Sequence, residues 1–417
     1  MDIGIYYKFQ QKKELGKMAK SSLLNRQIGS VFMIMGTEIG AGVLALPILI
    51  AHVGVYVGSI ILIFVWALML YTALMLCEAN DTFTGNASFA SIARKFLGRK
   101  GKGFMIIVFW ITLSSIAMAY ISAAGSTFNS ILSIPEGFTS TVFVIIFGIC
   151  VIIGTKTVDY VNRVLLSLKL LAFLLVIIIL FSALKIVNLT PSGTVTSIIS
   201  SFPAIVTAFI LHNIIPTIRS YLDYDHKALK KVVIIGSLIP LILYILWVTA
   251  IIGNIPSHGP NSFEILISEG KSANVGDLLN LLSVNTKNLL IRNSIDFVAT
   301  ISVTTSFLGT SISLYHFTQD FFGHKDTNIS THFIIPIILT FIIPLMIVLL
   351  FPNIFIITLS YAGLGATILF ALIPIIIMRI LIKAGHEFSM KILRNQFLLA
   401  LAFMIGLGVI AIEIFFH

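Results

Sequence analysis

Three ionisable residues lie inside apolar stretches, and each is able to carry chemistry there. Glu38 sits in Met35-Gly36-Thr37-Glu38-Ile39-Gly40-Ala41-Gly42-Val43-Leu44-Ala45-Leu46-Pro47, a carboxyl among glycines. Lys169 sits in Leu165-Leu166-Ser167-Leu168-Lys169-Leu170-Leu171, and His212 with Asn213 in Phe209-Ile210-Leu211-His212-Asn213-Ile214-Ile215-Pro216. Carboxyl, amine and imidazole all take up and release protons, so the set suits proton transfer. A charge placed in lipid costs about 2.5–3.5 kcal/mol on insertion scales, so such residues are functional candidates by default.

The rest of the chain decides whether lipid is the right surrounding. Its 417 residues are 58% hydrophobic and 11% charged, with a mean hydropathy of +1.04. Soluble domains carry roughly 25% charged residues. That excludes a cytosolic enzyme, a DNA-binding factor, a secreted disulfide domain and a disordered chain. Cys77 and Cys150 fall in or beside apolar runs without metal-ligand spacing, and read as small buried residues. No cofactor and no metal is implied. There is no glycine-rich loop ending in Gly-Lys-Ser/Thr, which argues against direct use of ATP.

A spanning helix needs about 20 apolar residues. Eleven stretches qualify: 27–50, 55–78, 104–131, 139–155, 161–186, 197–219, 231–253, 290–322, 333–351, 354–378 and 396–416. The expected organisation is a basic cytoplasmic tail over 1–25 and one transmembrane domain over 26–417. The first run is too long for the core of a signal peptide, so the first helix does the targeting. The loop 254–289 carries two apolar clusters and predicts one or two short amphipathic helices. With the N-terminus in the cytoplasm, only Lys185, Lys271, Lys287 and Arg292 of the 27 Lys and Arg fall outside, and Lys169 within. The asymmetry accounts for the net charge of +10 without nucleic acid and puts the C-terminus outside.

Two of these helices carry breaks. Each glycine weakens a helix by about 1 kcal/mol relative to alanine. Unwound backbone at membrane depth survives where it is buried or lines a cavity. A helix resuming after Gly42 would aim free N–H groups at an anion, such as a ligand carboxylate. The competing reading is a small-residue packing face, which leaves Glu38 unexplained. In the sixth segment Pro216 removes a donor and disfavours helix just before it. Breaks in segments one and six, five apart, are the pattern of two five-helix inverted repeats with the site between them. Gly363 and Gly365 in segment ten weigh against a pattern confined to those two helices. Lys169 alternatively snorkels to the interface. The residues leave three roles open for Glu38: carrying the proton, pairing with Lys169, or meeting a ligand's ammonium group.

The run Gly36 to Gly42 followed by Leu44-Ala45-Leu46-Pro47 resembles the first-helix signature of bacterial aromatic amino acid permeases, within the amino acid/polyamine/organocation superfamily. Ala119-Tyr120-Ile121-Ser122, Ser306-Phe307-Leu308-Gly309 and the spacing Phe209…His212…Pro216 agree. Family glycines beside the histidine are replaced by Ile210 and Asn213, and Glu38 stands where the family usually has a neutral residue.

The resemblance implies an all-α polytopic protein of about 11 transmembrane helices with the LeuT-like 5+5 inverted repeat and discontinuous helices one and six. Helices 1–5 would span about 26–186, helices 6–10 about 197–378, and helix 11 about 396–416. It implies a monomeric secondary transporter of the cytoplasmic membrane, not an enzyme, importing an aromatic amino acid with protons. The substrate carboxylate would meet the Ala41 and Gly42 amides, and its ammonium the carbonyls near Thr37, Glu38 and Phe209. Its ring would lie toward Tyr120, His212, Asn213 and Phe307. Lys169, with Ser306 and Glu38, would couple protons, the lysine standing where sodium-driven relatives hold an ion. Tyrosine is favoured; tryptophan, another neutral amino acid and sodium coupling are the alternatives. Scattered histidines argue against a membrane enzyme, and the absence of repeated pore motifs against a channel.

Overall fold

The computed structural model describes residues 23–40, 42–85, 89–193, 195–268, 274–286, 289–322 and 333–416. Apart from turns and short connections these are helical, with no strand among them. Lipid offers backbone groups no partners, so each crossing segment must satisfy its own, and the helix does so. In chain order the helices are α1 (Leu23–Glu38), α2 (Gly42–Ala51), α3 (Gly54–Asp81), α4 (Phe89–Leu132) and α5 (Glu136–Ile153). Then come α6 (Thr155–Ser182), α7 (Val195–Val206), α8 (Ile215–Tyr221), α9 (His226–Gly253) and α10 (Phe263–Ser268). The last are α11 (Val275–Thr286), α12 (Leu289–Phe322), α13 (Ile335–Leu350), α14 (Phe355–Lys383) and α15 (Gln396–Phe416).

Eight helical stretches among the described residues are long and apolar enough to cross a membrane, or nine with α1 and α2 taken as one bent span. The two remaining expected spans appear as shorter apolar helices, Ser167–Ser182 within α6 and Ile335–Leu350.

Two further differences are instructive. The segment before residue 104 is helical back to Phe89, where the charges suggested a loop. Gly98, at φ 71° and ψ −167°, turns the chain between this basic stretch and the apolar remainder of α4. Glycine adopts that left-handed conformation without steric cost. Gly363 and Gly365 mark no third break. They let α14 approach the Pro203 carbonyl and the Thr112 hydroxyl so closely that a Cβ would collide with them. The expected short helices in 254–289 are α10 and α11, with Phe263, Leu266, Val275, Leu278, Leu279 and Leu282 buried.

Two layers matter for the site. α3 packs along α9, and α4 packs along α12 and the first half of α14. The broken segments α1–α2 and α7–α8 have α9, α4 and α12 as neighbours around their breaks.

Candidate functional site

The first break falls at Ile39 and Gly40, and the axis turns by 54° between α1 and α2. The Gly40 N–H folds back onto the Glu38 carbonyl at 2.7 Å. No side chain fits at Gly40: a Cβ there would stand 2.8 Å from the Tyr120 hydroxyl and 3.1 Å from the Ser306 hydroxyl. Nor does one fit at Gly42, where it would meet the Ala208 Cβ at 2.8 Å and the Tyr244 hydroxyl at 3.0 Å. The glycines thus bring α1–α2, α4, α9, α12 and the second break into one place.

The second break occupies residues 207–214, between α7 and α8. After α7 the chain makes a 3₁₀ turn over Thr207–Phe209, extends at Ile210 (φ −79°, ψ 105°), and makes another 3₁₀ turn over His212–Ile214. Pro216 then lies in the first turn of α8, where a missing N–H costs nothing. The stretch just before the proline is the one that leaves the α-helix, as the proline's position implied.

Lys169 is 1% exposed and reaches the first break. Its ammonium donates to the Ile39 carbonyl and lies 3.4 Å from Thr305 Oγ1 on α12. It therefore does not snorkel out. Among the described residues it makes no ion pair with Glu38. The Glu38 side chain is 2% exposed, and neither carboxyl oxygen has a hydrogen-bond partner among the described residues.

His212 is fully buried, its ring stacked on Phe370 with centroids 5.1 Å apart and planes at 21°. Phe370 belongs to a π-helical turn, Thr367–Leu372, inside α14. His212 Nε2 lies 3.0 Å from Thr72 Oγ1. The Thr72 hydroxyl already reaches the Leu68 and Met69 carbonyls at 3.2 and 3.1 Å. A hydroxyl has one proton; with that proton on the backbone, Thr72 accepts from Nε2–H in the tautomer protonated there. Nδ1 has no partner among the described residues, and in that tautomer it is an acceptor.

The other expected site residues divide. Phe209 is buried and meets the Tyr244 ring edge-on at 5.6 Å, beside the break. Phe307 is buried, but its ring packs on Phe143 at 4.9 Å and faces Phe341 at 6.4 Å, toward α5 and α13. The Thr37 hydroxyl is spent on the Met33 carbonyl at 2.9 Å, as membrane threonines often are. Asn213 is exposed, so it turns away from the cluster while its neighbour His212 turns in. Ala41 lies outside the described residues.

Two residues of α9 were not expected. The Tyr244 hydroxyl donates to the Glu38 carbonyl and lies 3.3 Å from the Ala208 carbonyl. Trp247 Nε1 donates to the Val43 carbonyl at 2.5 Å, and its ring stacks on Phe173 of α6 at 4.8 Å. The signal was available: a Tyr and a Trp three residues apart in an apolar helix each carry a polar tip that needs a partner when buried. Among the described residues no three His, Cys, Asp or Glu come together as a metal site.

This chain matches the sequence profile of the tryptophan/tyrosine permease family over residues 24–413. It is 32% identical to the tyrosine-specific transport system 1 of Haemophilus influenzae over 349 residues, covering 82% of this chain and 84% of that one. It is 29% identical to the tryptophan-specific transport protein of Shigella flexneri over 395 residues, covering 91% and 93%. It is 28% identical to glutamine transporter 2 of Aliivibrio fischeri over 369 residues, covering 86% and 90%. An all-helical inner-membrane chain of this kind is a multi-pass permease, not an enzyme. It belongs to the tryptophan/tyrosine permease family.

Proposed function

We propose that the protein imports an aromatic amino acid, tyrosine before tryptophan, by proton symport. The observation that carries this reading is the Lys169 ammonium on the Ile39 carbonyl, beside Thr305. A cation held by protein between α1 and α12 fills the place a transported sodium ion would need, and its proton is exchangeable. Glu38, buried and unpartnered, is the second coupling group. The Gly42 amide at the start of α2, with that of Ala41, receives the substrate carboxylate.

His212 fits the far end of the substrate. Its bare Nδ1 accepts a hydrogen bond but donates none. The named substrates of the relatives share one feature there: a phenol O–H, an indole N–H or an amide N–H. Tyr120, near Gly40, and Phe209, against Tyr244, stand at the breaks where the amino-acid end binds, whereas Phe307 acts through packing. Asn213 has no part in this reading.

The architecture proposed with it is the LeuT-like 5+5 inverted repeat, with eleven spans. The helices Ser167–Ser182 and Ile335–Leu350 make up the number. The N-terminus is cytoplasmic, the C-terminus outside, and the working unit a monomer. Alternating access then amounts to rocking of the broken segments against the unbroken ones.

The test is uptake of labelled tyrosine into proteoliposomes under an inward proton gradient, with and without sodium, with unlabelled tryptophan, phenylalanine and glutamine as competitors. Accumulation driven by protons alone and blocked best by tyrosine is expected. Accumulation that requires sodium would overturn the driver, and stronger block by another amino acid the substrate.

A further inference from the structure

The Tyr244 hydroxyl touches one carbonyl from each broken segment. It donates to Glu38 O at the first break and stands 3.3 Å from Ala208 O at the second. In an unbroken helix these oxygens would accept from the Gly42 and His212 N–H groups; neither bond forms here. The Glu38 carbonyl keeps the Gly40 N–H as one donor. Buried backbone acceptors need donors, and the breaks have taken theirs away. A phenol brings one proton to two acceptors, so it serves them incompletely. An ammonium group brings three, splayed so that two carbonyls are reached at once.

We infer that Tyr244 is the resident substitute for the substrate's ammonium group. Its hydroxyl ties the two breaks together while the site is empty, and an arriving amino acid displaces it from both carbonyls. The tyrosine is built for exchange rather than for permanent support. Its ring is held edge-on by Phe209. The position is crowded: a single Cβ on Gly42 would stand 3.0 Å from its oxygen. Gly42 lies beside that oxygen, so a substrate carboxylate at the Gly42 amide brings the adjoining ammonium toward it. The inference rests on the amino-acid transport reading above and adds a competitor already present in the chain.

The competition sets the sign of the test. Tyr244→Phe removes the hydroxyl and keeps the ring. The purified variant should bind tyrosine about 3- to 10-fold more tightly than the natural protein, the worth of one hydrogen bond. Binding of 3-(4-hydroxyphenyl)propionate, which lacks the ammonium group, should not change. Weaker tyrosine binding would make the hydroxyl a fixed strut and overturn the inference; so would an equal change for both compounds. Tryptophan with indole-3-propionate is read in the same way. Should Tyr244→Phe fail to fold, Tyr244→Leu is read by the same pair of compounds.

A second arm needs no ligand. Hydrogen exchange of residues 35–46 and 207–215 in the empty protein should be faster in Tyr244→Phe. Unchanged exchange would overturn the tie between the breaks. If the natural protein binds none of tyrosine, tryptophan and glutamine, the transport reading fails, and the exchange arm still decides whether Tyr244 joins the two breaks.

Discussion

Glu38 and Glu78 are both 2% exposed, yet their surroundings are opposite. Glu78 stands near the end of α3, at the basic end of the bundle, and each of its oxygens is held. One takes Lys230 Nζ at 2.9 Å and Ser389 Oγ at 2.5 Å; the other takes the Ser389 N–H at 3.1 Å and faces His386 Nε2 at 3.2 Å. Nearby Arg219 of α8 donates to the Phe83 and Gly85 carbonyls at 2.6 and 2.8 Å and lies 3.7 Å from Asp81. Arg26 of α1 pairs with Asp223 just after α8, so both interrupted segments are moored at this end. Glu38, at the break, has nothing. Breaking a satisfied buried pair costs several kcal/mol, because the surviving charge is stranded. An unsatisfied group adds no such bond to stability, and its persistence points to use. Glu78 therefore reads as a fastening and Glu38 as a working part.

Four measurements sharpen or break that contrast. Glu78→Ala removes the bonds to Lys230 and Ser389, leaves Lys230 with Asp81 at 3.4 Å, and should lower unfolding stability in detergent by about 3 kcal/mol; a variant as stable as the natural protein would dissolve the contrast. Lys169→Ala loses charged hydrogen bonds to the Ile39 carbonyl and Thr305, together about 3 kcal/mol or more. Initial uptake in proteoliposomes should fall about 100-fold. His212→Ala removes the acceptor for the side-chain tip, so preference for tyrosine over phenylalanine in competition assays should drop about 10-fold. Glu38→Gln keeps the shape and loses no bond, so its melting temperature should stay level or rise. Gradient-driven accumulation should nonetheless disappear while exchange of labelled for unlabelled substrate continues. A collapse in stability comparable with that of Glu78→Ala would make both glutamates fastenings.

The glycines of the first segment were legible as a break because three of them surround a carboxylic acid in an apolar run, and packing alone does not call for that. Lys169 was legible because ammonium groups seldom stand two turns inside such a run. The second break was legible as a stretch before Pro216, but not its shape. Proline announces itself in sequence, whereas the bend at Ile210 is set by where α7 and α8 must dock. Asn213 looked equivalent to His212; the 3₁₀ turn sends one out and the other in. Tyr244 and Trp247 were passed over because an apolar helix hides the question of where their polar tips go. The Glu78 cluster was invisible for a different reason. Its members come from α3, α8, α9 and the chain after α14, and only the fold brings them together.

Lys169, Tyr244 and Trp247 share one habit: each donates to main-chain oxygen, at Ile39, at Glu38 and Ala208, and at Val43. A main-chain oxygen survives every substitution of its own residue. The side chains at 39, 43 and 208 are thus free to drift as far as packing allows, while the acceptors that hold the lysine, the phenol and the indole persist. A lineage built this way is able to retune what it carries without rebuilding the device that does the carrying.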